Sequence, residues 1–362
     1  MTDGRIVDLK LVPLNLSMRQ PFVTALGNKS ISRNLLVALH LEDGTVGLGE
    51  ASASLAWPLE TQPAMKSALE SLKGRLMGSP IHRFRYLADT AWKSAGEHPT
   101  AVAALECALL DAYTRRQNIP LWRFLGGKRR SVTTSFTISA WAPNQVLRVA
   151  SALRAAGFRY LKVKVTGRNL DEDLRRVRAV HQTAPKATLW IDGNQGFSVK
   201  EALRFASTLR RYSLPVQLFE QPVARENWEG LGEVQREGKI PVAADESARS
   251  VSETLRLLRK KIVRIINIKI AKCGLFGTLE IIRMAKRNRT SLMIGCMAES
   301  AIGLSASVHL ACGTGSFRFV DLDSHFLVVS PPCDSGFQSH GDRLTVHPLP
   351  GCGVRSLHSV SL

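Results

Sequence analysis

Short apolar runs alternate with amphipathic, helix-like stretches from about residue 130 to residue 321. Strands that alternate with helices are typical of parallel βα units. The polar residues that end successive runs from Lys164 onward lie 24 to 28 residues apart, which fits one strand, one helix and two loops. Eight such units close into a TIM-type barrel. The eight runs are FTIS at 136–139, YLKVKV at 160–165, TLWID at 188–192, VQLFE at 216–220, PVAAD at 241–245, RIINIK at 264–269, SLMIGC at 291–296 and FRFVD at 317–321.

The first 115 or so residues have a different pattern. Apolar–polar alternation in IVDLKLVPLNL and NLLVALHLEDGTVGLGEAS predicts antiparallel strands with a turn at 42–45. Helical periodicity predicts helices over 63–76 and 100–116, the second with Thr100 as its N-cap. We therefore predict an α+β domain over residues 1–125 and an α/β barrel over residues 126–325. The Gly- and Pro-rich segment 326–362 returns to a strand-like pattern, and we expect it to pair with the first domain.

Length and composition restrict the class of protein. A chain of 362 residues that is 44% hydrophobic is long enough for one large barrel or two ordinary domains. No apolar run approaches the roughly 18 residues that span a bilayer, and the opening MTDGRIVDLK, with Asp3 and Asp8, lacks the apolar region of a secretion signal. Six cysteines without a CxxC pair favour reduced thiols over a disulfide framework or a zinc site. We expect a cytoplasmic protein with no membrane partner.

The charge balance is strongly basic. The 49 Lys and Arg residues exceed the 30 Asp and Glu residues, giving a formal net charge of +19. Such an excess can indicate a nucleic-acid partner or an anionic surface. The basic residues are scattered in small groups on helix-like segments, and no nucleic-acid-binding motif accompanies them. We expect no nucleic-acid partner, and keep a basic nucleic-acid-binding barrel as the non-enzymatic alternative.

Three consecutive predicted strands end in an acid, namely Asp192, Glu220 and Asp245. A single acid after a strand is often only the N-cap of the next helix. In a closed barrel, however, these three acids share one arc of the C-terminal rim, where barrel enzymes have their active sites. Three oxygen ligands without His or Cys favour Mg²⁺, or Mn²⁺, over zinc.

Lysines end two strands that lie on opposite sides of the ring. Lys164 ends the second strand and Lys269 the sixth of eight, while Lys162 shares a strand face with Lys164. Lysines on both sides of a metal-bound carboxylate indicate that a proton is removed from one face of a carbon acid and returned to the other. The metal and Lys162 would stabilise the enediolate. The alternative is that these lysines only extend along the barrel rim towards water.

Five motifs together resemble the enolase superfamily, in its muconate-lactonising subgroup, over nearly the whole chain from about Ile6 to Gly353. They are KVKV, WIDGNQGF, LFEQPV, ADES and INIKIAKCG. The resemblance implies a (β/α)7β barrel with an α+β capping domain, and association into a homo-oligomer. It also implies Mg²⁺ at Asp192, Glu220 and Asp245, acid/base lysines at Lys164 and Lys269, and Lys162 near the substrate carboxylate.

The sequence DLD at 321–323 resembles the D-x-D signature of the dipeptide epimerases within that subgroup. Asp321 and Asp323 share one strand face, and two carboxylates suit the free α-ammonium of a dipeptide. The resemblance implies further substrate contacts at Thr137, Cys296 and Ala298, followed by a supporting acid at Glu299. We therefore predict a Mg²⁺-dependent isomerase that epimerises the C-terminal residue of a dipeptide.

One position departs from the pattern of Ala-Glu epimerases. Gly27 follows TAL where those enzymes usually have an Arg that receives the glutamate side chain. Lys29, Arg33 or Arg19 could supply a cation from the same loop, and the loop contains no acid. We expect a dipeptide whose second residue is hydrophobic, polar or anionic.

Other members of the subgroup are the alternative enzymes. They are o-succinylbenzoate synthase, an N-acyl amino acid racemase and a muconate cycloisomerase, none of which needs an acid pair to bind an ammonium group.

Overall fold

The computed structural model describes residues 4–358, so Asp3 and the predicted domain limits at residues 1 and 362 lie outside the described residues. The strands are β1 Ile6–Thr24, β2 Gly27–Leu41, β3 Val46–Ala51, β4 Ser131–Thr133, β5 Phe136–Ile138, β6 Tyr160–Lys164, β7 Thr188–Asp192, β8 Val216–Glu220, β9 Val242–Ala244, β10 Ile265–Ile268, β11 Ser291–Gly295, β12 Phe319–Asp321, β13 Phe337–His340 and β14 Arg343–Val346. The helices are α1 Gln62–Leu76, α2 Phe84–Ala95, α3 Pro99–Arg116, α4 Leu121–Phe124, α5 Pro143–Ala155, α6 Leu170–Thr183, α7 Val199–Arg211, α8 Trp228–Glu237, α9 Val251–Lys260, α10 Ile270–Asn288, α11 Ala301–Thr314 and α12 Ser324–Leu327.

The N-terminal domain is an antiparallel sheet of β1, β2 and β3 packed against helices, as predicted. β1 and β2 continue beyond the predicted apolar runs and meet in a second hairpin, whose tip is 25–26. The hairpin reaches the barrel, because Ala140 N donates to Val23 O at 3.0 Å and Trp141 Nε1 donates to Pro21 O at 2.8 Å. This hairpin therefore covers part of the barrel mouth.

Helix α3 is the central helix of the N-terminal domain and is buried along almost its whole length. The prediction that Thr100 is its N-cap is wrong, since the helix begins at Pro99, where a missing N–H costs no intrahelical bond. β3 packs directly onto α3 through Gly47 and Gly49. A Cβ at these positions would lie 2.1 Å from Ala108 O and 2.0 Å from Ala104 O, so only glycine permits this approach.

The barrel is confirmed as eight parallel strands, β5 to β12, in sequence order. A hydrogen bond of 2.8 Å from Ser135 N to Val320 O links the first strand to the last. Seven helices, α5 to α11, connect the strands, and β12 is followed only by the four-residue α12. This is the (β/α)7β arrangement with a capping domain that the resemblance implies.

Inward-facing positions recur every second residue along a strand. At the strand ends these positions are polar, and further into the barrel they are apolar. Trp190 lies two residues before Asp192, Leu218 two before Glu220, and the rings of Trp190 and Phe319 are 5.6 Å apart. The apolar layer consists of Trp190, Leu218, Ala243, Ile265, Met293 and Phe319, with Tyr160 packed against it. It closes the barrel beneath the acids and lysines at the strand ends.

Segment 326–362 meets the capping domain directly after α12, where Val328 forms an antiparallel bridge with Met18 of β1 and Val329 N donates to Ser17 O at 2.9 Å. β13 and β14 form an antiparallel sheet with β4, which precedes the first barrel strand and lies at the N-terminal end of the barrel, opposite the mouth. Residues beyond β14 also contact the capping domain, since Cys352 N donates to Asp111 Oδ1 at 2.6 Å and Arg115 Nη2 donates to Val354 O at 2.7 Å. Within residues 4–358, no helix is long and apolar enough to cross a membrane.

Candidate active site

A cavity lies at the C-terminal ends of the barrel strands, beneath the β1–β2 hairpin and the 52–61 loop. Nine of the predicted site residues line it: Thr137, Lys162, Lys164, Asp245, Lys269, Cys296, Ala298, Asp321 and Asp323. The other two, Asp192 and Glu220, are fully buried at neighbouring strand ends, where they are paired in register. The fold therefore brings all eleven predicted residues to one end of the barrel.

Lys162 connects the acids at the barrel mouth. Its Nζ lies 3.0 Å from Asp192 Oδ2, 2.8 Å from Glu220 Oε2 and 2.7 Å from Asp321 Oδ2. Burial alone would lower the pKa of Lys162, but the charges of Asp192, Asp321 and Glu220 hold that pKa well above its ordinary value. Lys162 is therefore a permanent cation at the centre of the site.

The buried acids carry more negative charge than the lysines offset. Burial and the charge of Asp192 raise the pKa of Glu220 to about 8, although Lys162 opposes the shift. Burial and the charge of Asp245 raise the pKa of Glu246 to about 7. Clustered carboxylates raise one another's pKa in this way unless another cation neutralises them.

The three strand-end acids fit Mg²⁺ in donor chemistry. They provide hard oxygen donors on adjacent strands, and Asp192 and Glu220 lie fully buried and in register. In residues 4–358, however, no three acidic, His or Cys side chains are arranged to hold an ion together. The Lys162 ammonium stands between Asp192 and Glu220, so binding of an ion there requires Lys162 to withdraw.

The two predicted acid/base lysines each contact a different acid. Lys164 Nζ donates to Asp192 Oδ2 at 2.6 Å and to Asn194 Oδ1 at 2.8 Å. Lys269 Nζ donates to Asp245 Oδ2 at 2.7 Å. Burial would lower the pKa of Lys269, but the charge of Asp245 outweighs burial and raises it. Because β6 and β10 are the second and sixth strands of eight, the lysines reach the cavity from opposite sides.

Several buried residues that support the site were not predicted. Asn267 Nδ2 donates to Glu220 Oε1 at 2.7 Å, and Lys272 Nζ donates to Asp245 Oδ1 at 2.9 Å. Gln221 Oε1 accepts from Asp245 N at 3.0 Å and from Ser247 N at 3.1 Å. The signal was present for Asn267, which lies two residues before Lys269 and therefore shares its inward face.

The acid pair lies where the last strand meets the first. Asp321 Oδ1 accepts from Ser135 Oγ at 2.7 Å, and Asp323 Oδ2 accepts from Thr137 N at 2.5 Å. Cys296 Sγ lies 3.8 Å from Asp323 Oδ1. Burial and the charge of Asp321 raise the pKa of Asp323 to about 6, although the Thr137 N–H opposes the shift. Such a pair can hold a substrate cation.

The hairpin supplies one cation to the cavity. Of the three candidates named from the sequence, Arg19 and Arg33 are exposed, whereas Lys29 lines the cavity. Lys29 Nζ donates to Ser32 Oγ and Ala53 O, each at 3.2 Å. Burial, with a smaller contribution from Lys269, lowers the pKa of Lys29 to about 8.

One part of the cavity wall is apolar. It is formed by side chains from the hairpin, from the loop at 54–57 and from α12, namely Phe22, Leu26, Leu55, Trp57 and Leu327. A ligand group that enters this part of the cavity meets hydrophobic surface together with Thr24, Ser54 and the Lys29 ammonium. The Lys164 ammonium lies 5.7 Å from the Phe22 ring centroid at the edge of the same surface.

Two family models together match most of the chain. Residues 6–126 match the mandelate racemase / muconate lactonizing enzyme N-terminal domain, and residues 145–358 match the enolase C-terminal domain-like family. A curated relative from Herpetosiphon aurantiacus, named aromatic dipeptide epimerase, is 40% identical over 343 residues, covering 94% of this chain and 96% of the relative.

Solved structures show the same similarity. A mandelate racemase/muconate lactonizing protein from Herpetosiphon aurantiacus has a TM-score of 0.94 at 38% identity, covering 99% of this chain and all of the other. A dipeptide epimerase from Enterococcus faecalis V583, complexed with Mg and L-Leu-L-Tyr, has a TM-score of 0.93 at 29% identity, covering 97% of this chain and all of the other.

Proposed function

The chain belongs to the mandelate racemase and muconate lactonizing enzyme family of the enolase superfamily, and we propose that it is a Mg²⁺-dependent dipeptide epimerase. The reaction inverts the α-carbon of the C-terminal residue of a dipeptide. The observation that carries this proposal is that Asp321 and Asp323 line the same cavity as Lys164 and Lys269.

The acid pair orients the substrate. A dipeptide brings a free α-ammonium at one end, and the carboxylates of Asp321 and Asp323 offer it charge-assisted hydrogen bonds in a buried setting. The C-terminal carboxylate then extends towards Lys162, so the α-carbon of the second residue lies between Lys164 and Lys269. Holding both ends places the reacting carbon without further reorganisation.

The two lysines carry the proton transfers. One lysine acts in its neutral form, which the positive charge of a bound Mg²⁺ would favour. Its amine takes the α-proton, and the C–H electron pair becomes part of an enediolate. The ammonium of the other lysine donates a proton to the opposite face of the α-carbon, which gives the epimer. The lysines have then exchanged protonation states, so the next turnover from that state runs in the reverse direction.

Asp192, Glu220 and Asp245 would hold the Mg²⁺ ion. When bound, the ion supplies positive charge that offsets the negative charge of the enediolate. Lys162, once it has withdrawn from Asp192 and Glu220, would remain in the cavity as a second cation for the enediolate. Asn267 and Lys272 keep Glu220 and Asp245 oriented through the hydrogen bonds described above.

The cavity also restricts the side chain of the second residue. Its wall beneath the hairpin is largely apolar, and Thr24, Ser54 and Lys29 are the polar side chains in it. Lys29 donates to two neutral oxygens, which leaves its third N–H available to an acceptor on the substrate. We propose that the second residue of the substrate dipeptide has an apolar side chain or one that bears a hydrogen-bond acceptor. Cationic second residues are disfavoured by the charge of Lys29.

The direct test is isotope exchange across a dipeptide library. The protein is incubated with each dipeptide in D₂O with Mg²⁺, and deuterium at the second α-carbon is followed by mass spectrometry and NMR. We expect exchange with apolar, polar or acidic second residues, and loss of exchange when EDTA replaces Mg²⁺. Exchange only with Lys- or Arg-terminated dipeptides would contradict the substrate assignment. Turnover of succinylbenzoate precursors or N-acyl amino acids alone would contradict the reaction.

A further inference from the structure

Glu50 is a buried carboxylate of the capping domain that bonds to the barrel. It lies on β3, and its side chain reaches the start of α11. Glu50 Oε1 accepts from Ser300 N at 2.9 Å, and Glu50 Oε2 accepts from Gly303 N at 3.0 Å and from Ser300 Oγ. A carboxylate is favoured there, because the first N–H groups of a helix have no intrahelical partner.

Asn34 extends this contact to the rim of the reaction cavity. Asn34 is fully buried on β2, and its Nδ2 donates both to Glu50 Oε1 at 2.7 Å and to Ala298 O at 2.8 Å. Its Oδ1 accepts from Ser32 Oγ at 2.8 Å, and Ser32 Oγ in turn accepts from Lys29 Nζ. One chain of hydrogen bonds thus joins Lys29 to the N-terminus of α11.

The segment held by this chain lines the site. Cys296, Met297 and Ala298 follow β11 and form part of the cavity wall, and Ser300 then caps α11. The packing is close, since a Cβ at Gly303 would lie 3.2 Å from the Glu50 Cβ. Glu50 therefore packs directly against the first turn of α11, which follows the cavity-lining segment in the chain.

We propose that Glu50 and Asn34 are positioning residues that fasten the substrate-lining segment 296–298 to the capping domain. They act through backbone groups and touch neither reacting atoms nor substrate. This role rests on the proposed function, because it assigns the held segment to substrate binding. Since the catalytic lysines have separate partners, loss of the contact should weaken substrate binding more than the chemical step.

Glu106 offers a matched control. It is also a buried carboxylate of the capping domain that bonds to the barrel, accepting from Phe276 N at 2.6 Å and from Trp92 Nε1 at 2.7 Å. Its partners lie outside the reaction cavity. A purely structural role for Glu50 predicts that Glu50→Gln and Glu106→Gln behave alike.

The experiment compares the two variants with the wild-type protein and with Asn34→Ala. We expect Glu50→Gln to raise KM for the best dipeptide at least about tenfold with kcat changed less than about threefold, and Asn34→Ala to do the same where Glu50→Gln fails to fold. Glu106→Gln should lower Tm without changing KM. An unchanged KM in both Glu50→Gln and Asn34→Ala would overturn the proposal.

A second readout does not depend on activity. Hydrogen–deuterium exchange of peptides that cover 296–303 should be faster in Glu50→Gln than in Glu106→Gln, because the Ser300 and Gly303 amides lose an ionised acceptor. Unchanged exchange there would also overturn the positioning role. If the wild-type protein turns over no dipeptide, the proposed function fails, whatever the exchange shows.

Discussion

The backbone N–H of Thr137, on the first barrel strand, donates a hydrogen bond to Asp323, which follows the eighth strand. One carboxylate oxygen is thereby committed to joining the two ends of the barrel. The other oxygen lies 3.8 Å from Cys296 Sγ and faces the cavity. Asp323 can thus contribute to the fold with one oxygen and hold a substrate ammonium with the other.

Asp323→Asn should lower kcat/KM for dipeptides by roughly 30-fold or more. The amide oxygen can still accept from Thr137 N, so the fold is kept while the charge facing the substrate is lost. Removing one member of a buried charge pair costs about 2–5 kcal/mol, which corresponds to that loss. Steady-state kinetics would measure it, with the exposed Asp171→Asn as control. Full activity in Asp323→Asn would favour a substrate without a free amine.

The same carboxylate predicts a pH dependence of substrate binding. The pKa of Asp323 is raised to about 6, so its charge is present above that pH and is lost as the pH falls through it. Asp321, Lys162 and Cys296 are the other ionisable groups around it. KM for a dipeptide should rise by up to about tenfold per pH unit below pH 6. Asp323→Asn should abolish the rise of KM below pH 6. If the variant keeps that rise, another group is responsible for it.

Replacing the two lysines separately should separate the two proton transfers. Lys164→Ala and Lys269→Ala should each lose epimerisation by at least about a thousandfold, since general acid–base groups contribute about 10²–10⁴-fold. Each variant should still exchange the α-proton of only one epimer, and the two variants should prefer opposite epimers. NMR of the α-proton in D₂O distinguishes the cases. Exchange of both epimers in either variant would mean that one lysine serves both faces.

Lys29→Met should change the choice of second residue without abolishing turnover. Removing the ammonium group that the hairpin contributes to the cavity should lower kcat/KM at least about tenfold for a second residue with an acidic side chain. Apolar second residues should be affected less than about threefold. Arg33→Met is the matched control, because Arg33 is a neighbouring but exposed cation of the same strand. Equal effects on acidic and apolar dipeptides would exclude Lys29 from selectivity.

The sequence was sufficient to predict the site residues that lie at barrel strand ends, because inward and outward positions alternate regularly along a strand. Asp192, Glu220 and Lys269 each end an apolar run. The alternation within those runs was therefore enough to place the three side chains on the inner face of one barrel end. Lys29, Asn34 and Glu50 could only be placed once the β1–β2 hairpin and the docking of β3 on α3 were known. Their partners are 24 to 264 residues away in several cases, and no local pattern encodes such distances. The pairing of β14 with β4 was missed for the same reason.

His309 should make the protein less stable as the pH falls from about 6.5 to 4. The ring is fully buried on α11, where Nδ1 accepts from Trp122 N at 3.2 Å and Nε2 lies 3.2 Å from Gly336 O. This arrangement requires a neutral ring that carries its proton on Nε2. Burial lowers the pKa of His309 to about 4, whereas an unfolded histidine has a pKa of about 6.5.

Between those two values the unfolded chain binds the proton and the folded chain does not, so the free energy of unfolding falls as the pH falls. The two pKa values correspond to a contribution of up to about 3 kcal/mol. His309→Gln removes this titration, so its unfolding free energy, measured in urea at pH 7 and pH 5, should change less than that of the wild-type protein. His340→Gln, at an exposed position outside the α11 contacts, should keep the wild-type difference. Equal pH dependence in all three proteins would place the proton uptake at other groups, such as His325, whose pKa is likewise lowered to about 4 by burial.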